Sequence, residues 1–397
     1  MALAGTIVIV SNFTNLFNQT AISYDSETRL FRAVKFSFRK IVLQCVVILI
    51  VVWYWVAFYR PTAEQQFRRQ LSTLEFVIRV LYGGFFICAS FVSVWNGLTH
   101  NIVIIDLINS LLKIENDLRC QFRSNFNFTG INRFVRFVIG LTIVFYISVV
   151  GGLSAVIGVL TDNYKLVMPS FMMGIFSIPG IGNVLLSAAI TSAIRVYFDV
   201  IDREIISSSA DDIISHRKVY LWLNFLARVN ETRPLYLTYF TGPALMLTVF
   251  CMIVCSLQCF ELYQLIDRTK QITLPERIHI AMTTLWLVSI LYQFISAVLA
   301  VARTHERANE TALCTRYFDD YTMKNTKVAK QINKFLLKNL HQKKKFSAYG
   351  FFDIDNSVIY TVFSSIVTYL VILIQFKQLE NDLTRGSTNV GKNRTVT

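Results

Sequence analysis

Residues with the types and spacing that catalysis requires are scarce in this sequence. It has no glycine-rich phosphate loop, no Gly-x-Ser-x-Gly turn and no His-Glu-x-x-His pair. Its five histidines are spread from His100 to His341 without clustering. These absences argue against an enzyme, and we predict no cofactor.

One regular set of potential metal ligands does occur. Cys251, Cys255 and Cys259 follow each other at four-residue spacing, which places them along one helical face. No histidine or carboxylate accompanies them on that face, and cysteine often serves as a small apolar packing residue. We therefore predict packing rather than a metal site.

The composition indicates an integral membrane protein. Of the 397 residues, 54% are hydrophobic and 16% are charged, and the mean hydropathy is +0.48. Soluble domains have about 45–50% apolar and about 25% charged residues. The net charge of +14 could suggest a nucleic-acid partner, but the basic residues lie between apolar segments, as topology-setting loop charges do. We therefore expect a lipid membrane as partner and no nucleic acid.

Seven apolar segments approach the roughly 20 residues that a spanning helix needs. They cover residues 41–58, 74–95, 134–160, 166–198, 235–265, 278–302 and 357–376. The predicted fold class is an all-α membrane protein with seven transmembrane helices. The apolar residues 1–10 are too few to span and lack the basic start of a secretory signal, so we assign them to a cytoplasmic tail.

The basic residues favour a cytoplasmic N-terminus. With that orientation the inner segments hold 25 of the 39 Lys and Arg residues, and the outer segments hold 11. The predicted organisation is a cytoplasmic segment 1–40, a six-helix bundle 41–302, a cytoplasmic basic region 303–356, a seventh helix 357–376 and an extracellular tail 377–397. N-glycosylation sequons at Asn12, Asn18, Asn127, Asn230 and Asn309 would then be inside, and we interpret them as accidental; a sixth begins at Asn393.

Several helices should be longer than the membrane is thick. The fourth segment would measure about 50 Å as a helix, against about 30 Å for a bilayer core, unless its Pro179-Gly180 pair bends it. Residues 324–345 show helical apolar spacing with lysines on the other face. This basic region could be a solvated face, an inner-leaflet anchor or a cytoplasmic oligomerisation platform, and we favour the platform.

The last apolar segment carries a family signature. It ends Thr368-Tyr369, five apolar residues, then Gln375-Phe376, and it follows Gly350-Phe351-Phe352-Asp353-Ile354-Asp355. This ending resembles the insect gustatory receptor family. The specific match is confined to about 30 residues that end with this last segment. The chain length, the seven segments and the long basic loop also agree with the resemblance. A G-protein-coupled receptor would carry an acidic-Arg-Tyr triplet and an Asn-Pro-x-x-Tyr motif, and neither is present.

The resemblance implies a ligand-gated, non-selective cation channel. Family members form tetramers, homomeric or heteromeric, in which the seventh helices surround a pore and long inner helices build an anchor domain. Localisation would be the plasma membrane of gustatory sensory neurons, in the dendrite. The ligand would be a small organic tastant, with bitter compounds the default for a divergent member.

The residues of the seventh helix fit parts of that expectation. Thr368, Ile372 and Gln375 share one helical stripe, and Tyr369 and Phe376 form a neighbouring one. A buried amide is costly in lipid but suits a pore or a helix contact, and a phenylalanine beside it could close a pore by dewetting. We predict a pore role for Gln375, Phe376 and Ile372; for Thr368 a pore role and packing are alternatives, and Tyr369 is assigned to packing.

Other site predictions are less specific. Asp353 and Asp355 could attract cations to inner portals or simply cap the helix. In this family the ligand pocket is expected in the outer half of the bundle, and Arg79 could bind there, snorkel outward or pair with Glu75. The pocket candidates on that basis are Arg79, Tyr82, Tyr146, Phe176, His279, Thr283 and Trp286.

Three other functions remain open alternatives. A G-protein-coupled chemoreceptor would need an extracellular N-terminus. An auxiliary subunit would give currents only beside related chains. A transporter would be expected to show internal repeats and paired broken helices, which the sequence does not display.

Overall fold

The computed structural model describes residues 2–16, 20–34, 73–122, 128–145, 167–209, 216–268, 274–313 and 347–394, with isolated positions 42, 49, 152, 156, 159 and 330. Most of these residues are helical. The helices are α1 (Ala2–Leu16), α2 (Thr73–Phe122), α3 (Thr129–Val144), α4 (Val167–Ser209), α5 (His216–Arg268), α6 (Leu274–Leu313) and α7 (Asn356–Arg394). Two antiparallel hairpins join them, β1 (Ile22–Asp25) with β2 (Leu30–Ala33) and β3 (Ser347–Ala348) with β4 (Phe352–Asp353).

Five helices in the described part of the chain are long and apolar enough to cross a membrane. Their candidate spans are Phe91–Phe122 in α2, Gly180–Ser207 in α4, Arg217–Gln264 in α5, Ile280–Thr311 in α6 and Asn356–Leu383 in α7. The predicted first span, 41–58, lies outside the described residues except for Val42 and Leu49. Helix α3 covers the beginning of the predicted third span, and most of the remainder is likewise not described.

The helices extend well past the predicted spans. Helix α5 has 53 residues and α2 has 50, which corresponds to about 75–80 Å each. Helix α4 stays helical through Pro179-Gly180, so this pair does not break it. Helix α2 changes direction at His100, whose φ of −112° and ψ of 16° are not helical. The predicted basic helix at 324–345 lies outside the described residues apart from Lys330.

The hydrophobic core runs along the contacts between these long helices. Helix α2 packs mainly on α5, α4 packs on α6, and α7 packs on α5 and α6. Tyr197 of α4 is fully buried and donates a hydrogen bond to the carbonyl oxygen of Leu111 in α2, at 3.1 Å. Phe225 of α5 lies against Phe122 of α2, with ring centroids 5.6 Å apart, and Trp222 of α5 is buried in the same core. The core therefore continues into the helix portions beyond the predicted spans.

The N-terminal segment completes one end of the bundle. Helix α1 packs on α3 and α4, and strand β2 packs on α2. The side-chain amide of Asn101 accepts from the Ala21 N–H (3.0 Å) and donates to the Ala21 carbonyl (3.1 Å). Asn109 makes the same pair of bonds with Phe31. The two side-chain amides thus make the pair of hydrogen bonds that the backbone of a neighbouring strand would make, and they hold the hairpin against α2.

Ion pairs tie the same ends of the long helices together. Arg307 of α6 lies 2.6 Å from Asp199 and 2.9 Å from Asp202 of α4. Arg228 of α5 lies 2.7 Å from Asp117 of α2. These ion pairs thus join described parts of three segments that the sequence assigned to the cytoplasm. Which membrane face those segments occupy stays a prediction.

Candidate functional site

A cavity lies among four of the long helices. It is lined by α2, α4, α5 and α6 and is closed at one side by the β3–β4 hairpin. The cavity is partly open to the surroundings rather than fully enclosed. The walls are mostly aliphatic and aromatic, and none of the described lining residues is charged. Such a cavity suits a neutral organic molecule.

The cavity wall carries polar side chains on four helices, including Thr248 of α5 and Gln293 of α6. Asn183 of α4 is 7% exposed, and its amide nitrogen donates to the Ser93 hydroxyl of α2 at 2.8 Å. Its amide oxygen Oδ1 is buried and has no hydrogen-bond partner among the described residues. Ser187 and Tyr236 are hydrogen bonded to each other at 2.6 Å. A buried, unpaired acceptor therefore lies beside a pair of hydroxyls whose bond is already made.

The hairpin wall of the cavity leads directly into α7. Phe352 and Ile354 line the cavity, and α7 begins two residues after Ile354. Tyr349 and Gly350 have positive φ values of 50° and 80°, and the Phe351 N–H donates to the Ala348 carbonyl at 2.9 Å. Glycine adopts this conformation without the strain that a side chain brings, which explains Gly350 in the sequence motif.

Helix α7 has two different faces. Val358, Val362 and Ile366 are buried at four-residue spacing and form the face packed on the bundle. On the opposite side, a stripe at heptad-like spacing is exposed throughout. We call it the polar stripe, and it consists of Ser357, Thr361, Ser364, Thr368, Val371 and Gln375.

The exposure of α7 exceeds that of the other spans. In its most apolar window 17% of the residues are buried, against 67% in α4. The hydroxyls of Thr361 and Thr368 donate to the carbonyls of Ser357 and Ser364, at 3.0 and 2.9 Å. Their donors are thus satisfied within the helix, while the oxygen lone pairs remain on the exposed surface.

The predicted pore residues all lie on exposed parts of α7. Gln375 and Thr368 belong to the polar stripe, and Ile372 (39% exposed) borders it. Around the helix axis, Phe376 (56% exposed) and Tyr369 (51% exposed) lie about a quarter turn or more away from the polar stripe. The sequence analysis did not single out Ser357, Thr361 and Ser364, although their spacing continues that of Thr368 and Gln375.

The two predicted portal aspartates occupy different positions. Asp355 precedes α7, and its Oδ1 accepts the Ser357 N–H at 2.9 Å, so it is the N-cap of the helix. Asp353 is half-buried in β4 and pairs with Ser347 in the strand register. The capping alternative thus has direct geometric support at Asp355.

The predicted ligand residues and the observed cavity are offset. Thr283 and Trp286 are buried in α6, at 6% and 9% exposure, but the cavity lining of α6 begins at Ile290. The side chains of Arg79, Tyr82, Tyr146, Phe176 and His279 lie outside the described part of the structure. The cavity begins farther along each helix, at Ala89 in α2 and Gly180 in α4. Sequence reasoning missed it, although Asn183 and Ser187 place two polar groups on one face of an apolar segment.

These features define a multi-pass helical membrane protein with an internal cavity and one outer helix that bears a polar stripe. Residues 10–380 match the family described as 7tm chemosensory receptor. The chain belongs to this chemosensory receptor family, in its insect gustatory receptor branch.

Relatives in Drosophila melanogaster support the branch. The chain is 43% identical over 96 residues to gustatory and pheromone receptor 39a, isoform B, covering 24% of this chain and 25% of that protein. It is 62% identical over 50 residues to gustatory receptor 68a, covering 13% of each. Gustatory and pheromone receptor 32a is also 62% identical over 50 residues, which is 13% of this chain and 11% of that protein. The matched regions thus span a quarter or less of these relatives.

A solved structure shares the fold over nearly the whole chain. The insect olfactory receptor OR5 from Machilis hrabei, in complex with eugenol, superposes with a TM-score of 0.60. The sequences are 11% identical, and the match covers 95% of this chain and 100% of that one. The predicted all-α membrane fold and the family resemblance are confirmed, and the family consists of receptors rather than enzymes.

Proposed function

We propose that this protein is a taste receptor that acts as a ligand-gated, non-selective cation channel. One observation carries the proposal. The polar stripe of α7 is exposed on the side opposite to the face that packs on the bundle. A membrane helix with such a stripe needs a polar environment, and the described part of the chain does not supply one.

Assembly around a central axis would supply that environment. Facing lipid, the amide of Gln375 would be costly, because hydrocarbon offers no hydrogen-bond partners. Four chains, identical or related, with their α7 helices around one axis would turn the polar stripes toward a shared aqueous path. Ile372, which borders the stripe, and Phe376, about a quarter turn from it, would narrow that path and close it by dewetting in the resting state. Tyr369 would pack against a neighbouring helix.

The ligand would be a small organic tastant, and we propose bitter compounds as its class. The receptor of shared fold carries eugenol, a small aromatic compound, in its solved structure. The outer-half candidates stay the proposed activating pocket: Arg79, Tyr82, Tyr146, Phe176, His279, Thr283 and Trp286. Asp353 would attract cations to an inner portal, and Asp355 would combine that charge with its capping bond. The proposed location is the plasma membrane of gustatory sensory neurons, in the dendrite.

Cysteine accessibility in a conducting receptor tests the pore assignment. Ser364→Cys, Thr368→Cys and Gln375→Cys are expressed one at a time and exposed to a cationic methanethiosulfonate reagent during ligand-evoked currents. Modification should reduce the current severalfold, because a fixed positive charge in a cation pathway repels the permeant ions. Wild type controls for native cysteines, and Val362→Cys on the packing face is the matched control.

The result that overturns the pore assignment is equally clear. If the reagent leaves the current of the three stripe variants unchanged but reduces the current of Val362→Cys, the polar stripe does not line the pore. If the chain gives no current alone but conducts beside a related receptor, the auxiliary-subunit alternative is supported, and the same cysteine series is then read in the mixed channel.

A further inference from the structure

We propose that the cavity between α2, α4, α5 and α6 is a second ligand site, which begins about one helical turn beyond the outer-pocket candidates on α4 and α6. It would take a neutral, mainly apolar molecule with one hydroxyl or N–H donor. Occupancy would bias the position of α7 through the β3–β4 hairpin. The binding part of this proposal stands by itself, and its effect on gating rests on the proposed channel function.

The unpaired acceptor of Asn183 specifies the donor. Its amide nitrogen is already bonded to Ser93, whereas its Oδ1 is buried without a partner among the described residues. A buried carbonyl-type oxygen is costly to leave unpaired. Because this oxygen has almost no accessible surface, a ligand donor reaches it only when the Asn183 side chain shifts toward the cavity, and the new bond then satisfies the acceptor. The neighbouring Ser187 and Tyr236 hydroxyls are bonded to each other.

The remaining wall selects against charge. No described lining residue is acidic or basic, and most are aliphatic or aromatic. An ion moved into such surroundings would lose its hydration without a counter-charge. The favoured occupant is therefore an uncharged molecule such as an alkylphenol or an alcohol, with its donor at Asn183 and its apolar part along α5 and α6.

The position of the cavity distinguishes this site from the outer pocket. On α6 it extends from Ile290 to Val301, beyond Thr283 and Trp286. It reaches the hairpin, where Ile354 is 8% exposed. With a cytoplasmic N-terminus, this places the site in the inner half of the membrane.

The hairpin provides a short mechanical connection to α7. Ile354 is followed by Asp355, the N-cap of α7, and then by the first helical turn with its buried Val358. A ligand that packs on Phe352 and Ile354 would favour one hairpin position over others. Because the hairpin and α7 are continuous, the ligand would thereby shift the equilibrium between two positions of the helix.

Binding of a defined probe tests the site directly. Tritiated 4-propylphenol is equilibrated with the purified full chain in nanodiscs, with empty nanodiscs as background. It is then competed with unlabelled 4-propylphenol or with 4-propylanisole, its methyl ether, which cannot donate. We expect the phenol to bind about tenfold tighter than the ether, corresponding to one buried hydrogen bond.

Two variants make the test specific. Asn183→Leu keeps a similar side-chain volume and removes the acceptor, so it should bind phenol and ether equally. Ala297→Trp fills the cavity from α6 and should abolish saturable binding of both. Size-exclusion elution shows whether each variant folds like wild type. Tyr220→Phe, an exposed change on α5 away from the cavity lining, is the control variant and should bind both probes as wild type does.

The outcomes separate this site from the channel function. Equal binding of phenol and ether to wild type, or a phenol preference that survives in Asn183→Leu, overturns the proposal. So does the absence of saturable binding above empty nanodiscs, even when tastants evoke currents. Saturable, Asn183-dependent binding without any current supports the site and counts against the channel. If currents occur, 4-propylphenol should alter them in wild type and not in Ala297→Trp.

Discussion

The guanidinium of Arg307 in α6 lies 2.9 Å from the carboxylate of Asp202 in α4, and Asp202 is only 2% exposed. The same guanidinium contacts Asp199 at 2.6 Å and Glu310 at 2.8 Å. One arginine thus neutralises a buried carboxylate and joins two long helices. The contact lies beyond the predicted sixth span, where α4 and α6 continue and are joined by these ion pairs.

Replacing Arg307 should therefore destabilise the receptor. Arg307→Ala leaves the Asp202 carboxylate buried without its cation, and loss of one partner of a buried pair costs about 3–5 kcal/mol. Because Arg307 is 33% exposed, we expect about 2–3 kcal/mol. Thermal unfolding monitored by fluorescence size exclusion measures the change. Arg303→Ala, an exposed arginine one turn earlier, should shift the midpoint far less; equal shifts would contradict the assignment.

The capping bond of Asp355 and its negative charge can be tested separately by two substitutions. Asp355→Ala removes the N-cap bond to Ser357 and should destabilise the start of α7 by about 1 kcal/mol. Asp355→Asn retains a capping oxygen and removes the charge. Hydrogen exchange at residues 356–360 should increase in Asp355→Ala and stay near wild type in Asp355→Asn.

The same pair tests the portal alternative. If Asp355 also attracts cations, Asp355→Asn should lower single-channel conductance at low ionic strength, and Asp353→Asn should do the same. Conductance unchanged in both substitutions would restrict Asp355 to capping and remove Asp353 from the site.

The N-terminal segment should depend on Asn101. Its side-chain amide makes two bonds to Ala21, and each buried hydrogen bond contributes about 0.5–1.5 kcal/mol. Asn101→Ala should destabilise the attachment of the β1–β2 hairpin by roughly 1–3 kcal/mol. Limited proteolysis within residues 1–34 should accelerate. Ile102→Ala is the control, since Ile102 is 70% exposed; equal acceleration would show that the amide bonds do not hold the hairpin.

The orientation of the membrane bundle has a direct test. An N-terminal epitope tag should be labelled only in permeabilised cells, because basic residues are concentrated on the side assigned to the cytoplasm. Of the sequon that begins at Asn12, only Asn12 itself is exposed on α1, while Phe13 and Thr14 are buried. A glycosidase-sensitive mass shift that disappears in Asn12→Gln would reverse the topology and favour a G-protein-coupled arrangement.

Much of the α7 region could be predicted from sequence because its information is local. Apolar length indicated the helix, and the spacing of Thr368, Ile372 and Gln375 indicated a shared stripe. The turn at Gly350, with φ +80°, was not predicted. The extension of the polar stripe back to Ser357 was readable in principle, since it needs only helical periodicity.

The cavity could not be predicted in the same way. Asn183 faces Ser93 across 90 positions of sequence, and Ser187 faces Tyr236 across 49. Such pairs depend on the rotation and axial shift of each helix relative to its neighbours, and hydropathy does not encode them. The expected pocket in the outer half rested on family resemblance, whereas the described cavity lies several turns away on α2 and one turn away on α4 and α6.

By itself, the sequence determined that this chain is a helical membrane protein, which segments are apolar, and that its last helix carries a gustatory-receptor signature. The helical membrane character and the apolar segments follow from composition and periodicity, which the lipid environment selects residue by residue. The signature is a resemblance to a family motif and does not follow from either. Only the tertiary structure decided that α7 turns its polar stripe away from the bundle and that Arg307 neutralises Asp202. It also decided that Asn183 Oδ1, beside the cavity, has no hydrogen-bond partner among the described residues. Each of these depends on how separate helices pack, because side chains far apart in sequence meet only when rotation and register are set together.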